Sequence, residues 1–356
     1  MSEPQMRRYG VRLVASLLAG ALALWLLHAG GLPLVPPTGA LRAVAPWSIV
    51  AYAVGFSLVH FLRAVRWHWL LKPIGSVSLR RLLNVSFIGF AAIVVLPLRS
   101  GEFVRPVLIR RDTDIGGWAA TGTIAAERVI DGMLVSVLLL LGLLAATPLD
   151  PLPDHIGELA IPARVIPGLA YSALALFAGA FVAMGAFYAK RDLATRLVSS
   201  TLGRISPKLA EWLSARLEQL ASGLGFLPKA SLAWPFVGLS VAYWLANAAA
   251  TQALGVGCGL SGMSFSIACV SMGVLALGIL LPNAPGYFGA FQVAVYASLA
   301  MFFPASVIDS KGAAFVFVQY VVQTAVTLGA ALVAWLVERS RGGFNAKNLP
   351  VGETTG

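Results

Sequence analysis

The stretch Leu96-Pro-Leu-Arg-Ser-Gly-Glu-Phe-Val-Arg105 decides how this chain is read, because it sets Arg99, Glu102 and Arg105 directly after the apolar run Phe87–Leu96. In water such charges cost little. Beside hydrocarbon each costs about 2.5–3.5 kcal/mol on insertion scales, less where a long side chain reaches the interface. They therefore need partners or a wet cavity. Glu102 stands three residues from both arginines, so one helical turn would gather Arg99, Glu102 and Arg105 on a shared face with positive charge left over. Pro97 and Gly101 break the helix here, and irregular backbone at membrane depth is tolerated only where protein or water surrounds it. The reading is a re-entrant element lining a polar cavity. The competing reading is a cytoplasmic loop whose arginines set topology.

The rest of the chain supports a membrane setting. Of 356 residues, 58% are hydrophobic and only 12% charged, with a mean hydropathy of +0.82, far from the mix of a soluble domain. Cys258 and Cys269 lie in apolar stretches without a CxxC pair or nearby histidine, which supports neither a disulfide framework nor a thiolate metal site. The net charge of +11 sits beside apolar segments, where it anchors them in the cytoplasm and attracts anionic lipid rather than nucleic acid. No metal or cofactor is expected.

Taken in order, Val11–Ala29 reads as a first, uncleaved span and Trp47–Leu62 as a return span. The latter ends in a loop from Arg63 to Arg81 with five basic residues and no acid, in which Trp67 and Trp69 are interface anchors. Leu82–Leu98 is basic at both ends, so a hairpin entering and leaving from one side suits it better than a crossing. Trp118–Thr147 is a long helix carrying Glu127, Arg128 and Asp131. Glu127 and Asp131 are four apart, a like-charge pair that needs a cation between them, which Arg99 or Arg105 could supply; the cluster reads either as part of a substrate pathway or as a buried ion-pair knot that only fixes helix packing. An acidic, proline-rich external loop follows, then Ala170–Ala189. Pro207–Ser222 reads as an amphipathic helix on the cytoplasmic face. Leu232–Val256 carries Asn247 and Gln252 near its outer end, and the last span is Ala313–Val337.

A second broken element, Leu281-Pro-Asn-Ala-Pro-Gly-Tyr-Phe-Gly-Ala290, joins Phe265–Leu281 to Phe288–Phe303, a pair read either as two spans or as a re-entrant hairpin. Pro282, Pro285, Gly286 and Gly289 free backbone groups as hinges, like Pro97 and Gly101 in the first element, and Asn283 and Tyr287 offer neutral hydrogen bonds. The expected fold is an all-α polytopic membrane protein with about six full spans plus two Pro/Gly-broken hairpins in inverted arrangement. Residues 1–10 form a cytoplasmic N-terminus and 11–337 one membrane domain, with a cytoplasmic amphipathic segment at about 190–229. Residues 338–356 form a cytoplasmic tail. A cavity cationic at one end and neutral polar at the other suits a phospholipid headgroup.

Four motifs carry a family resemblance: Arg63-x-x-Arg-Trp67, Leu96-Pro-Leu-Arg-Ser-Gly-Glu102 with Arg105, Glu127-Arg-Val-x-Asp131, and Pro282-Asn-Ala-Pro-Gly-Tyr-Phe-Gly289. In this order they resemble the lysylphosphatidylglycerol synthase transmembrane-region family, also called flippase-like. The resemblance implies a bacterial inner-membrane protein that translocates or handles lipid. Members that aminoacylate phosphatidylglycerol carry a soluble catalytic domain after the membrane part, and this chain stops at Gly356, so aminoacyl transfer by this polypeptide alone is not expected.

The leading expectation is a lipid flippase with no catalytic residues of its own. Arg99 and Arg105 hold phosphate, Glu102, Glu127 and Asp131 tune and release it, Asn283 and Tyr287 touch the headgroup, and Arg128 is counted with them among the substrate-binding residues. One alternative is a membrane-embedded transferase acting on a lipid or isoprenoid carrier, with Glu127 or Asp131 as general base. Another is an accessory subunit that presents lipid to a separately encoded synthase, docking through Pro207–Ser222.

Overall fold

The computed structural model describes residues 14, 18–111, 113–155, 157–159, 162–202, 204, 206–280 and 284–340. Among these the chain forms α-helices and short 3-10 turns, with no β-strand. The helices are α1 (Leu18–Ala29), α2 (Thr38–Arg42), α3 (Pro46–Leu71), α4 (Leu79–Val95), α5 (Val104–Arg111), α6 (Gly117–Ala145), α7 (Val165–Ala189), α8 (Arg191–Leu202), α9 (Pro207–Ser222), α10 (Ala230–Gly257), α11 (Phe265–Gly278) and α12 (Ala290–Ala300). The last, α13 (Ala305–Ser340), includes a π-turn at Ile308–Gly312.

Five of these, α3, α6, α7, α10 and α13, are long and apolar enough to cross a bilayer. Their outward faces are greasy: Leu144, Val182 and Trp234 stand exposed on α6, α7 and α10. Local signals set several ends. Ser78, Ser206 and Ser264 cap α4, α9 and α11 by accepting a backbone N–H, and Pro46 opens α3.

With no hydrophobic drive between helices inside lipid, close packing needs small residues. The central pair α3–α10 has them. A side chain at Gly55 would press on Ala250 and one at Gly257 on Ser48, so the two helices run antiparallel with their backbones close.

The charged stretch after α4 forms a 3-10 turn, Pro97–Phe103, that leads into α5. The turn and α5 fold back along α4. Arg81 donates to the carbonyl of Leu108 at 2.9 Å, Gly89 faces the stem of Arg105, and Gly101 rests on the backbone of Ala92 and Ile93, where any side chain would collide. The result is a short helical hairpin with Arg99 at its tip. Helices α11 and α12 form a second, with Gly278 against Ala294 and a 3-10 turn Pro285–Tyr287 at its tip.

One expectation is corrected here. Of the basic run read as a loop after Leu62, the first nine residues, 63–71, are instead the end of α3, and Arg80 and Arg81 lie in the first turn of α4. Arg66 and Trp67 are fully buried rather than placed at an interface. The reason is periodicity: Arg63, Arg66, Trp67 and Leu70 recur at three- and four-residue spacing, so they share a face turned toward α6 and its carboxylates.

Candidate functional site

A cavity of about 360 Å³ lies between α3, α4, α6, α10, α11, α13 and the tips of both hairpins. Its charged end is built on a buried ion cluster beneath the wall. On α6, Glu127 and Asp131 share one face four residues apart, and Arg66 from α3 bridges them. The guanidinium holds Asp131 through two bonds, of 2.5 and 2.6 Å, lies 3.1 Å from Glu127, and donates to Ser240 Oγ at 2.7 Å. Tyr243 donates to the same Asp131 carboxylate at 2.8 Å. Glu127 also takes Arg105 at 3.0 Å and Arg128 at 2.6 Å. Such paired, bidentate bonding is what a carboxylate requires once removed from water.

The predicted Arg–Glu–Arg turn is therefore split. Arg99 pairs with Glu102 at 2.9 Å, while Arg105 turns away to Glu127 and stacks over Trp67, with its guanidinium carbon 4.0 Å from the ring centroid. Trp67 in turn donates to Thr123 at 2.9 Å. The cation between Glu127 and Asp131 is chiefly Arg66, with Arg105 serving Glu127 alone. Arg99 serves neither.

Of the residues expected at the site, Arg99, Glu102, Arg128, Asp131 and Tyr287 line the cavity, whereas Arg105 and Glu127 lie under its floor, essentially without exposure. Gly286 also lines it, with a positive φ of 77° that suits glycine. Gly289, φ 86°, caps α12, where its N–H donates to Gln292 at 2.7 Å. Pro97 and Pro285 open the two 3-10 turns. Pro282 and Asn283 fall outside the described residues.

Sequence reading gave no role in the site to three features. Arg63 lines the cavity with no carboxylate within 4 Å among the described residues; its guanidinium rests over Phe90 at 4.5 Å, and its Nε is buried without a partner. The other two are polar stripes in apolar helices. Tyr243, Asn247 and Thr251 on α10, and Gln319, Gln323 and Thr327 on α13, recur every four residues and line the wall, with Tyr243 beside the arginines. Thr327 meets His60 Nε2 at 3.0 Å, and Gln323 donates to Tyr52. Four-residue spacing of polar side chains inside a hydrophobic helix was the signal available for them.

Five arginines, 63, 66, 99, 105 and 128, thus gather with three carboxylates, Glu102, Glu127 and Asp131, leaving two positive charges over at one end of the cavity.

Long apolar helices around a charged, solvent-sized interior define a multi-pass membrane protein. The chain belongs to the lysylphosphatidylglycerol synthase TM region family, whose model matches residues 13–334. It is also similar to the glycosyltransferase AglD of Haloferax volcanii, 26% identical over 340 aligned residues that cover 89% of this chain and 53% of the relative, so the chain spans about half the length of the curated protein it matches. No solved structure matches it.

Proposed function

We propose that this protein binds the anionic headgroup of a lipid in its cavity and carries the headgroup across the membrane while the acyl chains stay in hydrocarbon. The observation that carries this reading is Arg63, a cation facing the cavity with no acidic partner among the described residues, beside a cluster that already has excess positive charge. Desolvated cations are costly inside a membrane unless a ligand completes them, and phosphate oxygens are the natural complement of a guanidinium. Arg63, Arg99 and Arg128 hold the phosphate, Glu102 and Asp131 tune its release, and Tyr287 contacts the headgroup, with Asn283 assigned to it from sequence. Arg105, Arg66 and Glu127 act from beneath by fixing α3, α5 and α6.

The two hairpins are proposed as re-entrant elements in inverted arrangement, with about six spans around them, both termini in the cytoplasm and the bacterial inner membrane as the location. Residues 11–337 form the membrane domain, with the amphipathic segment at about 190–229 and residues 1–10 and 338–356 in the cytoplasm. The meeting of the hairpin tips at the cavity supports this arrangement, since binding sites of this kind sit where broken helices meet near the midplane. The partner is a polar lipid, and a separately encoded lipid synthase could supply it.

A second reading, a transferase on a lipid or isoprenoid carrier, gains from the printed name of the relative. Against it, each candidate base is already engaged: Asp131 accepts from Arg66 and Tyr243, and Glu127 from Arg105 and Arg128. The test is a lipid extract with and without the gene. A normal inventory with altered leaflet exposure supports transport, and a missing lipid species supports the transferase.

A further inference from the structure

The cavity does not end at the arginines. The rest of its wall includes neutral polar residues, some of whose buried atoms have no hydrogen-bond partner among the described residues. Gln319 is 1% exposed, yet its Oε1 has no hydrogen-bond partner among the described residues, and the same holds for Asn247 Oδ1 and Trp244 Nε1. All three residues line the cavity, from two different helices. A buried amide oxygen or indole N–H left without a partner costs about 1–3 kcal/mol, and native structures leave few of them. Two free acceptors and a free donor, with no charge among them, are the complement of hydroxyl groups, which both donate and accept.

The dimensions agree. Helix α3 lines the cavity from Arg63 back to Phe56, seven residues or about 10 Å of rise. Tyr52, buried one turn further along α3, takes the Gln323 hydrogen bond behind that end. A phosphate held at Arg63 leaves part of that length unfilled. Aromatic surfaces of Trp244 and Tyr320 flank the space, offering apolar faces for a ring whose edges carry the hydroxyls.

Building on the headgroup reading above, we propose that the neutral end is a subsite for a hydroxyl-rich ring, so that the ligand is a lipid phosphate bearing a sugar or cyclic polyol rather than a bare phosphate. Gln319 and Asn247 accept from its hydroxyls, and Trp244 Nε1 donates to one.

The test uses the full chain in nanodiscs of zwitterionic lipid and measures binding of four short-chain probes: a phosphatidic acid, a phosphatidylglycerol, a phosphatidylinositol and an uncharged glycosyl diacylglycerol. The expected result is that the inositol lipid binds at least tenfold tighter than the phosphatidic acid. Gln319→Leu and Asn247→Leu, on separate helices, should each erase that ratio while leaving the phosphatidic acid affinity in place. Arg63→Ala should weaken all three phosphate lipids together.

Equal binding of phosphatidic acid and phosphatidylinositol, or a ratio untouched by both leucine variants, overturns the subsite and leaves the anionic reading standing. A glycerol lipid that matches the inositol lipid overturns the ring while keeping a hydroxyl subsite. Glycosyl diacylglycerol binding that survives Arg63→Ala but is lost in Gln319→Leu supports the subsite and overturns the anionic reading. Failure of every probe to bind the wild-type chain overturns both.

Discussion

Arg99 and Tyr287 face one another from the tips of the two hairpins, the guanidinium carbon 5.8 Å from the centroid of the ring. The same arginine donates to the carbonyl of Ile279 at 2.8 Å, at the end of α11. Both residues have left-handed backbone, φ 55° and 58°, a conformation that costs a non-glycine residue on the order of 1–3 kcal/mol and persists where the surroundings over-determine it. The contact joins two elements 180 residues apart in sequence and forms part of the cavity wall.

If headgroups pass between the hairpin tips, tying the tips together should stop transport. An Arg99→Cys/Ile279→Cys pair, crosslinked by a short bifunctional reagent, is expected to abolish lipid translocation in proteoliposomes, with the uncrosslinked pair retaining more activity than the crosslinked one. The native Cys258 and Cys269 are buried and free, so they leave a quiet background. Equal transport before and after crosslinking would remove the passage from this place.

Arg63 and Arg66 are three residues apart and should fail in different ways. Arg63→Ala is expected to lower affinity for an anionic lipid about tenfold or more, the scale of a lost charge-assisted hydrogen bond, with little change in thermal stability. Equilibrium binding and a melting curve on one preparation separate the two effects.

Arg66→Met leaves Asp131 and Glu127 buried without their shared cation, and breaking a buried pair in this way costs about 3–5 kcal/mol. Thermal unfolding in detergent should show the loss. Arg66→Lys is expected to rescue only a fraction of it, because an ammonium cannot reproduce the planar two-point bond to Asp131. Full rescue by lysine would show that charge alone is sufficient.

Gly101→Val tests the first hairpin. A side chain there would run into the Ala92 and Ile93 backbone, so the turn must lift off α4 and take Arg99 with it. The expected outcome is a monodisperse protein with reduced stability and greater labelling of an Arg99→Cys reporter. Gly116→Val, where a side chain meets open space, should leave the labelling unchanged.

Much of this was legible from the chain alone. Hydropathy gave the long helices because a bilayer enforces a length of about 20 apolar residues whatever the neighbours are, and α6, α7, α9 and α10 lie within a few residues of the stretches read for them. Broken elements were legible too, since Pro97, Pro285 and Gly286 act on the backbone locally. Charged residues far from bulk water had to be partnered, which singled out Arg99, Glu102, Arg105, Glu127, Arg128 and Asp131 from the sequence; four of them line the cavity, and Arg105 and Glu127 lie beneath it.

Which cation met which carboxylate was decided only by tertiary packing. Local spacing favoured Arg105 with Glu102, three residues away, but the fold-back along α4 delivered Arg105 to Glu127 instead. Local charge made Arg63 and Arg66 look like loop residues, yet α3 continues through them because α6 supplies buried acids that no window of α3 contains. The sequence by itself determined that helices would cross a membrane and that their charges needed shelter, because solvation acts on each segment separately. The identity of the cation left facing the cavity depended on how α3, α6 and α10 come together, because pairing energy depends on distance between side chains that the chain holds far apart in order.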